Sequence, residues 1–495
     1  MQANRTVLWM SDSSWAVATL ADACELITDG THHSPKNSDV GDFMYVTAKN
    51  LKKHGLDLDK ITYVSSEDHE PIYRRAPVKR GDVLYIKDGA TTGIAVINHL
   101  TEPFSLLSSV ALIRPRPDLL SAEYLKYWLN SPDVLAEMTG KMAGAAISRL
   151  TIKKIKAAEI PLPPLAEQKR IVGKLDSLTA KSARARDELS HIPRLIERYK
   201  QAVLAAAFRG DLTKSAEHTH LSDGIDEQAQ ASRKDVWLKE ELRKSKLKGK
   251  RLDLEKAARK YQAAPSIRTR HAVREDWFIA NVEQLGFVFG GKRLPKGASY
   301  AKAPTQHPYI RVTDFYGGTF NPDGVLYIAP ETHASIGQYI ITSEDVFISI
   351  AGTIGLTAVI PRKFDGANLT ENAARIVVSN VVLPEFLALF LQSRDGQDQI
   401  DQLKTATSQE KLALFRIKSI EVPLPSIEEQ SAIIEKIRQF WNAIDRLIPQ
   451  ANSAAELLKN LDQSVLTKAF AGELVPQDPD DEPASVLLER IKDSK

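Results

Sequence analysis

Four stretches of the chain carry residues whose types and spacing could do chemistry, and each fails for a nameable reason. Gly286-Phe287-Val288-Phe289-Gly290-Gly291-Lys292 has the spacing of a phosphate-cradling loop, but Arg293 follows where a Ser or Thr hydroxyl would have to hold magnesium. Leu294-Pro295 then stands in place of the helix that such a loop must open. The sequence contains no Asn-Pro-Pro-aromatic tetrapeptide of the kind amino-methyltransferases use, and Asn321-Pro322-Asp323-Gly324 reads as a turn. No glycine-rich strand-to-helix loop suits S-adenosylmethionine. Pro117-Asp118 and Pro322-Asp323 lack the well-placed Glu-x-Lys of a nuclease. His32-His33 offers imidazoles to a metal with no third ligand in view, so a polar surface loop is the better account. No catalytic residue and no metal ligand is assigned.

The remaining chemistry is recognition of nucleic acid. Base edges are read by Arg, Lys, Asn, Gln or His on groove-facing loops, whereas phosphates need only positive charge. Two clusters qualify. The first is His32, Lys36, Lys49, Asn50, Lys52, Arg74, Arg75 and Lys87; the second is Lys292, Arg293, Lys296, Arg311, Thr313 and Asp314. Most lie before or between β-type runs.

The elements that must position these clusters are written twice. Trp15 recurs as Trp277, and the same spacing of 262 links Leu125 to Leu387, Leu150 to Leu412 and Ile155 to Ile417. Pro161-Leu162-Pro163 returns as Pro423-Leu424-Pro425, Glu167-Gln168 as Glu429-Gln430, and Phe208-x-Gly210-x-Leu212 as Phe470-x-Gly472-x-Leu474. Register slips only in the globular part, to 264 at Tyr45 and Tyr309 and to 263 at Asp82 and Asp345. A fixed scaffold with variable reading surfaces has this pattern. Each copy opens with a mixed region. Val83–Ile86 and Val346–Ser349 are strand-like runs bounded by Asp and Gly, and Ala122–Asn130 and Pro384–Gln392 have helical apolar spacing.

Each copy closes with a helix near 45 residues long. Ser426 and Glu429 are spaced as a capping box, and Gly210 and Gly472 stand where helices end in the left-handed conformation. Pro193 and Pro449 should kink these helices or split them. A helix of this length needs a partner, and the other copy supplies one in an antiparallel coiled coil. Apolar surface near Val203, Leu204 and Phe208, and near Val465, Leu466 and Phe470, is then free for partner proteins. The expected fold is α+β: two mixed α/β recognition domains, 1–163 and 266–425, separated by two long helices, 164–212 and 426–475. Residues 213–265 form a basic linker with no counterpart in the repeat, polar and loop-like over 217–232 and helical over 236–264. Residues 476–495 form a flexible acidic tail.

Composition sets the frame. With 495 residues, 43% of them hydrophobic, the chain is long enough for several cores. A net charge of +3 does not announce a nucleic-acid binder, but residues 233–260 hold twelve basic side chains against five acidic ones. The single cysteine, Cys24, excludes a disulfide framework. The absence of a signal-like start and of a long apolar run leads to the expectation of a cytoplasmic protein with no membrane partner.

This order of elements resembles the specificity subunits of type I restriction–modification systems over nearly the whole chain. The residues that carry the likeness are Ile27-Thr28-Asp29-Gly30-Thr31-His32, Gly290-Gly291-Lys292-Arg293-Leu294-Pro295-Lys296-Gly297 and Tyr309-Ile310-Arg311-Val312-Thr313-Asp314, with the paired Pro-Leu-Pro closures and Phe-x-Gly-x-Leu helix ends. The resemblance implies a DNA-reading subunit with two target-recognition domains, each reading half of a bipartite asymmetric site on double-stranded DNA, with the coiled coil as a ruler. It implies two adenine-N6 methyltransferase subunits and two motor–endonuclease subunits as partners. S-adenosylmethionine, ATP and magnesium would belong to those partners, and this chain would hold no cofactor. A self-contained restriction–methylation enzyme and a protein-only coiled-coil adaptor are the rival readings.

Overall fold

The computed structural model describes residues 15–139, 150–213, 224–271, 274–316, 319–405 and 410–493. They form two compact units, residues 1–190 with 450–495 and residues 191–449. The boundaries fall beside Pro193 and Pro449, inside two 44-residue helices, Leu165–Phe208 and Ile427–Phe470. Both helices run through their prolines without a break.

In the first unit four antiparallel strands lie in the order Cys24–Asp29, Val110–Pro115, Val83–Ile86, Ala95–Ile97. Val83–Ile86 is buried at every position because both faces of the sheet are covered. Val83 and Tyr85 face a core shared with the helix Ala122–Leu129, and Leu84 and Ile86 face a second core. That second core includes Val46 and Leu106, from a smaller sheet in which Phe43–Val46 pairs antiparallel with Thr62–Val64 and parallel with Ser105–Leu106. Ala16–Thr19 pairs with Glu159–Leu162 and closes the domain.

The second unit repeats the plan. Its larger sheet runs Gly286–Gly290, Ala373–Val378, Asp345–Ser349, Thr357–Ala358, and Phe278–Asn281 pairs with Glu421–Leu424 as the closure. Its smaller sheet again holds one parallel pairing, Pro308–Ile310 with Ala367–Leu369. Gly286–Gly290, within the phosphate-loop-like run, is a strand.

Each domain packs on two helices of opposed direction. In the first unit Ile171 and Leu175, near the start of one helix, share a core with Phe470, near the end of the other; Phe470 meets Tyr124 edge-on at 5.5 Å. In the second unit Val203, Leu204 and Phe208 meet Ile433, Ile434 and Ile437, and Phe208 is edge-on to Phe386 at 5.3 Å and Phe390 at 5.2 Å. The surface expected to dock partner proteins is therefore interior. Val203, Leu204, Phe208 and Phe470 are buried, and Val465 and Leu466 are partly buried against the first unit's core. An apolar stripe of this length is spent on the protein's own domains. The large apolar side chains exposed on the long helices lie elsewhere, at Leu195, Tyr199, Leu447 and Ile448 in one unit and Leu457 and Leu461 in the other.

The repeated Trp and Glu-Gln are the clamps that seat each domain on its helix. Trp15 Nε1 donates to Glu167 at 3.1 Å, and Trp277 Nε1 to Glu429 at 2.9 Å. Gln168 accepts from Ser121 N at 2.9 Å and donates to the carbonyls of Leu119 and Pro163; Gln430 makes the same three bonds to Leu383, Val381 and Pro425. These bonds satisfy backbone groups that burial would otherwise orphan. Ser426 does accept from Glu429 N at 3.3 Å, but the Glu429 carboxylate is taken by Trp277, Thr213 and Arg274, so half of the expected capping box serves the domain instead. Gly210 and Gly472 end the helices at φ of 76° and 77°, as their positions suggested.

Two segments, each following a long helix, depart from expectation. The insert is helical from Ile225 to Leu247, where a loop was expected up to residue 232, and a short helix follows at Leu254–Lys260; residues 217–223 of the expected loop lie outside the described residues. Its Arg233 is buried, donates to the carbonyls of Glu283 at 2.8 Å and Gln262 at 2.9 Å, and lies 4.1 Å from the Phe287 ring centre. Its Glu240 accepts from Arg375 at 2.6 Å, and Arg375 also holds Asp345 at 3.0 Å. At the other end, residues 484–493 form a helix rather than a flexible tail. Ala484 and Leu488 sit one turn apart and both enter the core that contains Trp15. Ile225 and Ala229 of the insert enter the core that contains Trp277 in the same way. Each long helix is thus followed by a second helix that enters the core of the other copy's domain, and the insert does have a partial counterpart.

Candidate nucleic-acid interface

Three loops converge in each domain. The first begins at a glycine that ends a sheet strand. A Cβ on Gly30 would lie 1.9 Å from Leu106 O, and one on Gly291 1.9 Å from Thr370 O, so only glycine fits either place. These glycines make the two positions equivalent, and the basic candidates follow them: His32 and Lys36 in the first domain, Lys292, Arg293 and Lys296 in the second. His32 and Arg293 occupy the same position, at a spacing of 261 that the sequence did not disclose.

The second loop is a single 3₁₀ turn, Ala48–Asn50 or Val312–Asp314, followed by a two-stranded hairpin. Asn50 Oδ1 accepts from Thr47 N at 3.0 Å, and Asp314 Oδ2 from Arg311 N at 2.7 Å. The third loop precedes the central strand, at residues 107–109 and 370–372. Backbone bonds tie it to the others: Leu107 bridges Thr31 and donates to Val46 O at 3.0 Å, while Thr370 N donates to Ile310 O at 3.0 Å.

Eleven of the fourteen residues put forward from the sequence reach solvent here. His32, Lys36, Lys49, Lys52, Arg74, Arg75, Lys292, Arg293, Lys296 and Thr313 are exposed, and Arg311 is half-buried. The other three are corrected. Asn50 and Asp314 are buried turn-makers, and Lys87 is only 2% exposed. They shape the surface from below.

In the first domain the organising residue is Asp29, which a search for basic groups passed over although it lies in the Asp29-Gly30-Thr31-His32 run. Its carboxylate holds Arg75 at 2.6 Å, Lys87 at 3.2 Å and His32 at 3.3 Å. Burial would raise the Asp29 pKa, but the hydrogen bonds from Arg75 and Lys87 outweigh it and hold the carboxyl below its ordinary range. Three cationic or ionisable groups share one carboxylate, so this loop face is electropositive.

The second domain carries a cleft of about 370 Å³ lined by Arg293, Tyr300, Tyr309, Arg311, Glu371 and Asn372, among others. Arg293 Nε donates to Glu371 at 2.6 Å, and Tyr309 OH donates to Lys292 O at 2.8 Å. Burial pushes the Tyr309 phenol up to about 12, so it stays a neutral donor. The Glu371 carboxyl, despite partial burial, is held low by Arg293. Tyr300, Glu371 and Asn372 are the residues that sequence reasoning missed. Glu371 sits just before a buried strand, between two polar residues, and that placement was its one visible signal.

Comparison with known proteins places this geometry. The type I restriction modification DNA specificity domain matches the chain twice, over residues 12–193 and 274–456. The specificity subunit of the type I restriction enzyme EcoBI from Escherichia coli is 27% identical, with 90% of this chain and 87% of that protein covered. The EcoKI specificity subunit of Escherichia coli strain K12 is 24% identical over 97% of this chain and 95% of its own. Among solved structures, the HsdS subunit from Thermoanaerobacter tengcongensis superposes with a TM-score of 0.56 at 18% identity, covering 94% of this chain and 98% of that one. A chain from a study of assembly and conformational transition in the type I R-M system gives 0.58 at 18% identity, covering 93% and 98%. The two family matches take in well over half of the sequence, and the two long antiparallel helices and twice-written domain agree with them: the chain belongs to the type I restriction–modification DNA specificity family.

Proposed function

We propose that this chain is the sequence-specific DNA-recognition subunit of a type I restriction–modification complex and carries no catalytic site of its own. Each domain reads one half of a bipartite asymmetric site, and partner subunits carry out adenine-N6 methylation and restriction. Two methyltransferase subunits and two motor–endonuclease subunits are the partners, and S-adenosylmethionine, ATP and magnesium are theirs. The work is done in the cytoplasm. The observation that carries this reading is the repeated three-loop face: one scaffold, built twice, offers different exposed side chains at equivalent positions, such as His32 against Arg293 and Lys49 against Thr313. A protein-only adaptor has no need of that arrangement. The apolar side chains exposed on the long helices, Leu195, Tyr199, Leu447 and Ile448 on one unit and Leu457 and Leu461 on the other, are the surfaces, one on each unit, that we assign to partner subunits.

The test is co-expression with a methyltransferase subunit followed by genome-wide mapping of N6-methyladenine. Methylation confined to one bipartite motif is the expected result. Methylation by this chain alone would overturn the non-catalytic assignment, and a complex without sequence preference would favour the adaptor.

A further inference from the structure

In the second domain's cleft each guanidinium already has its own carboxylate, Arg293 with Glu371 at 2.6 Å and Arg311 with Asp314 at 2.6 Å. The cleft is balanced in charge and has little to draw a phosphate, unlike the first domain, where His32, Arg75 and Lys87 share Asp29 alone. Its offer is directed hydrogen bonding beside two tyrosine rings.

The two arginines are held differently. Arg311 is half-buried, and its Nη2 is taken by Asp314 and by Gly324 O at 2.8 Å, which makes it a strut. Arg293 is 78% exposed and is gripped by Nε; Glu371, which grips it, is itself fixed by Thr370 Oγ1 at 3.0 Å. Among the described residues Glu371 is the one hydrogen-bond partner of Arg293. The two Nη groups are left as a planar fork whose orientation is set from behind. Two parallel N–H donors match O6 and N7 of guanine in the major groove, and a fixed fork loses less freedom on binding than a free one. We infer that Arg293, positioned by Glu371, reads a guanine in the half-site of the second domain. The inference rests on the DNA-recognition reading above. It does not extend to the first domain, where His32 stands at the equivalent position.

The full chain in complex with its methyltransferase tests this through methylome mapping and competition binding. Arg293→Ala should lose discrimination at one G·C pair of one half-site, by about 5- to 150-fold, the range of a bidentate base contact. The rest of the motif and the dependence of affinity on salt should not change. Glu371→Ala should lose the same base pair, and Glu371→Gln, whose amide oxygen still accepts from Nε, should keep most of it. Matched thermal unfolding of the variants and wild type separates reading from folding. Uniform weakening across sequences with a salt slope lower by about one would mark a phosphate contact and overturn the inference. So would an unchanged motif in the Arg293→Ala complex while the wild type binds specifically. A wild-type complex with no sequence preference at all would instead sink the recognition reading.

Discussion

The sharpest contrast at the scale of single residues is between Lys87 and Arg75, both basic, both bonded to Asp29, and opposite in exposure. Lys87 is inside because Asp29 is there to meet it; an ammonium does not stay buried without a counter-charge. Asp29→Asn should therefore destabilise the first unit by about 3–5 kcal/mol, the cost of stranding one partner of a buried ion pair. Urea unfolding of the variant against wild type at neutral pH measures it. The pH dependence has a definite sign. The folded-state pKa of Asp29 is depressed, so its contribution is fully present above the unfolded value of about 3.9 and is lost as pH falls through the lower folded value. The gap between wild type and variant should close in that acid range. The basic clusters were visible in the sequence, but the acidic residues that orient them, Asp29 and Glu371, were not. A carboxylate's role as a buttress depends on which loop folds back onto it, and no linear spacing encodes that.

Among the elements, the long helices and the sheet strands were legible because periodicity and caps declare them. The duty of the apolar helix ends was misjudged. Val203 to Phe208 and Val465 to Phe470 look like spare surface until the domain packed on them is in place. The C-terminal helix was hidden for a related reason: its amphipathic character spans little more than two turns, within a segment whose preceding residues are acidic. Its removal should show what it does. A chain ending at residue 477 loses the buried Leu488 and the Arg170–Asp481 ion pair, formed at 2.6 Å. Burial of one leucine contributes about 2 kcal/mol, so the first unit should unfold measurably earlier. Hydrogen exchange followed by unit should show the loss around Trp15 and Ile171 and leave the Trp277 core protected. Equal loss in both units would contradict the assignment of this helix to the first core.

For the molecule as a whole, the sequence repeat disclosed the doubled fold, while the slips in register concealed which reading positions correspond. Only the two crowded glycines, Gly30 and Gly291, align His32 with Arg293. Because the Trp–Glu bond and the three Gln bonds recur in both copies, exchange of residues 15–160 for another recognition domain that retains the Trp15–Glu167 bond should change one half of the methylated motif and spare the other. Methylome mapping of the exchanged chain decides this, and a change in both halves would show that the domains do not read separately. The Trp–Glu bond, 3.1 Å in one copy and 2.9 Å in the other, then acts as a common plug and socket. With one socket on each copy, every new reader can be paired with every existing one. The vocabulary of addresses open to such proteins therefore multiplies with the stock of readers instead of merely adding to it.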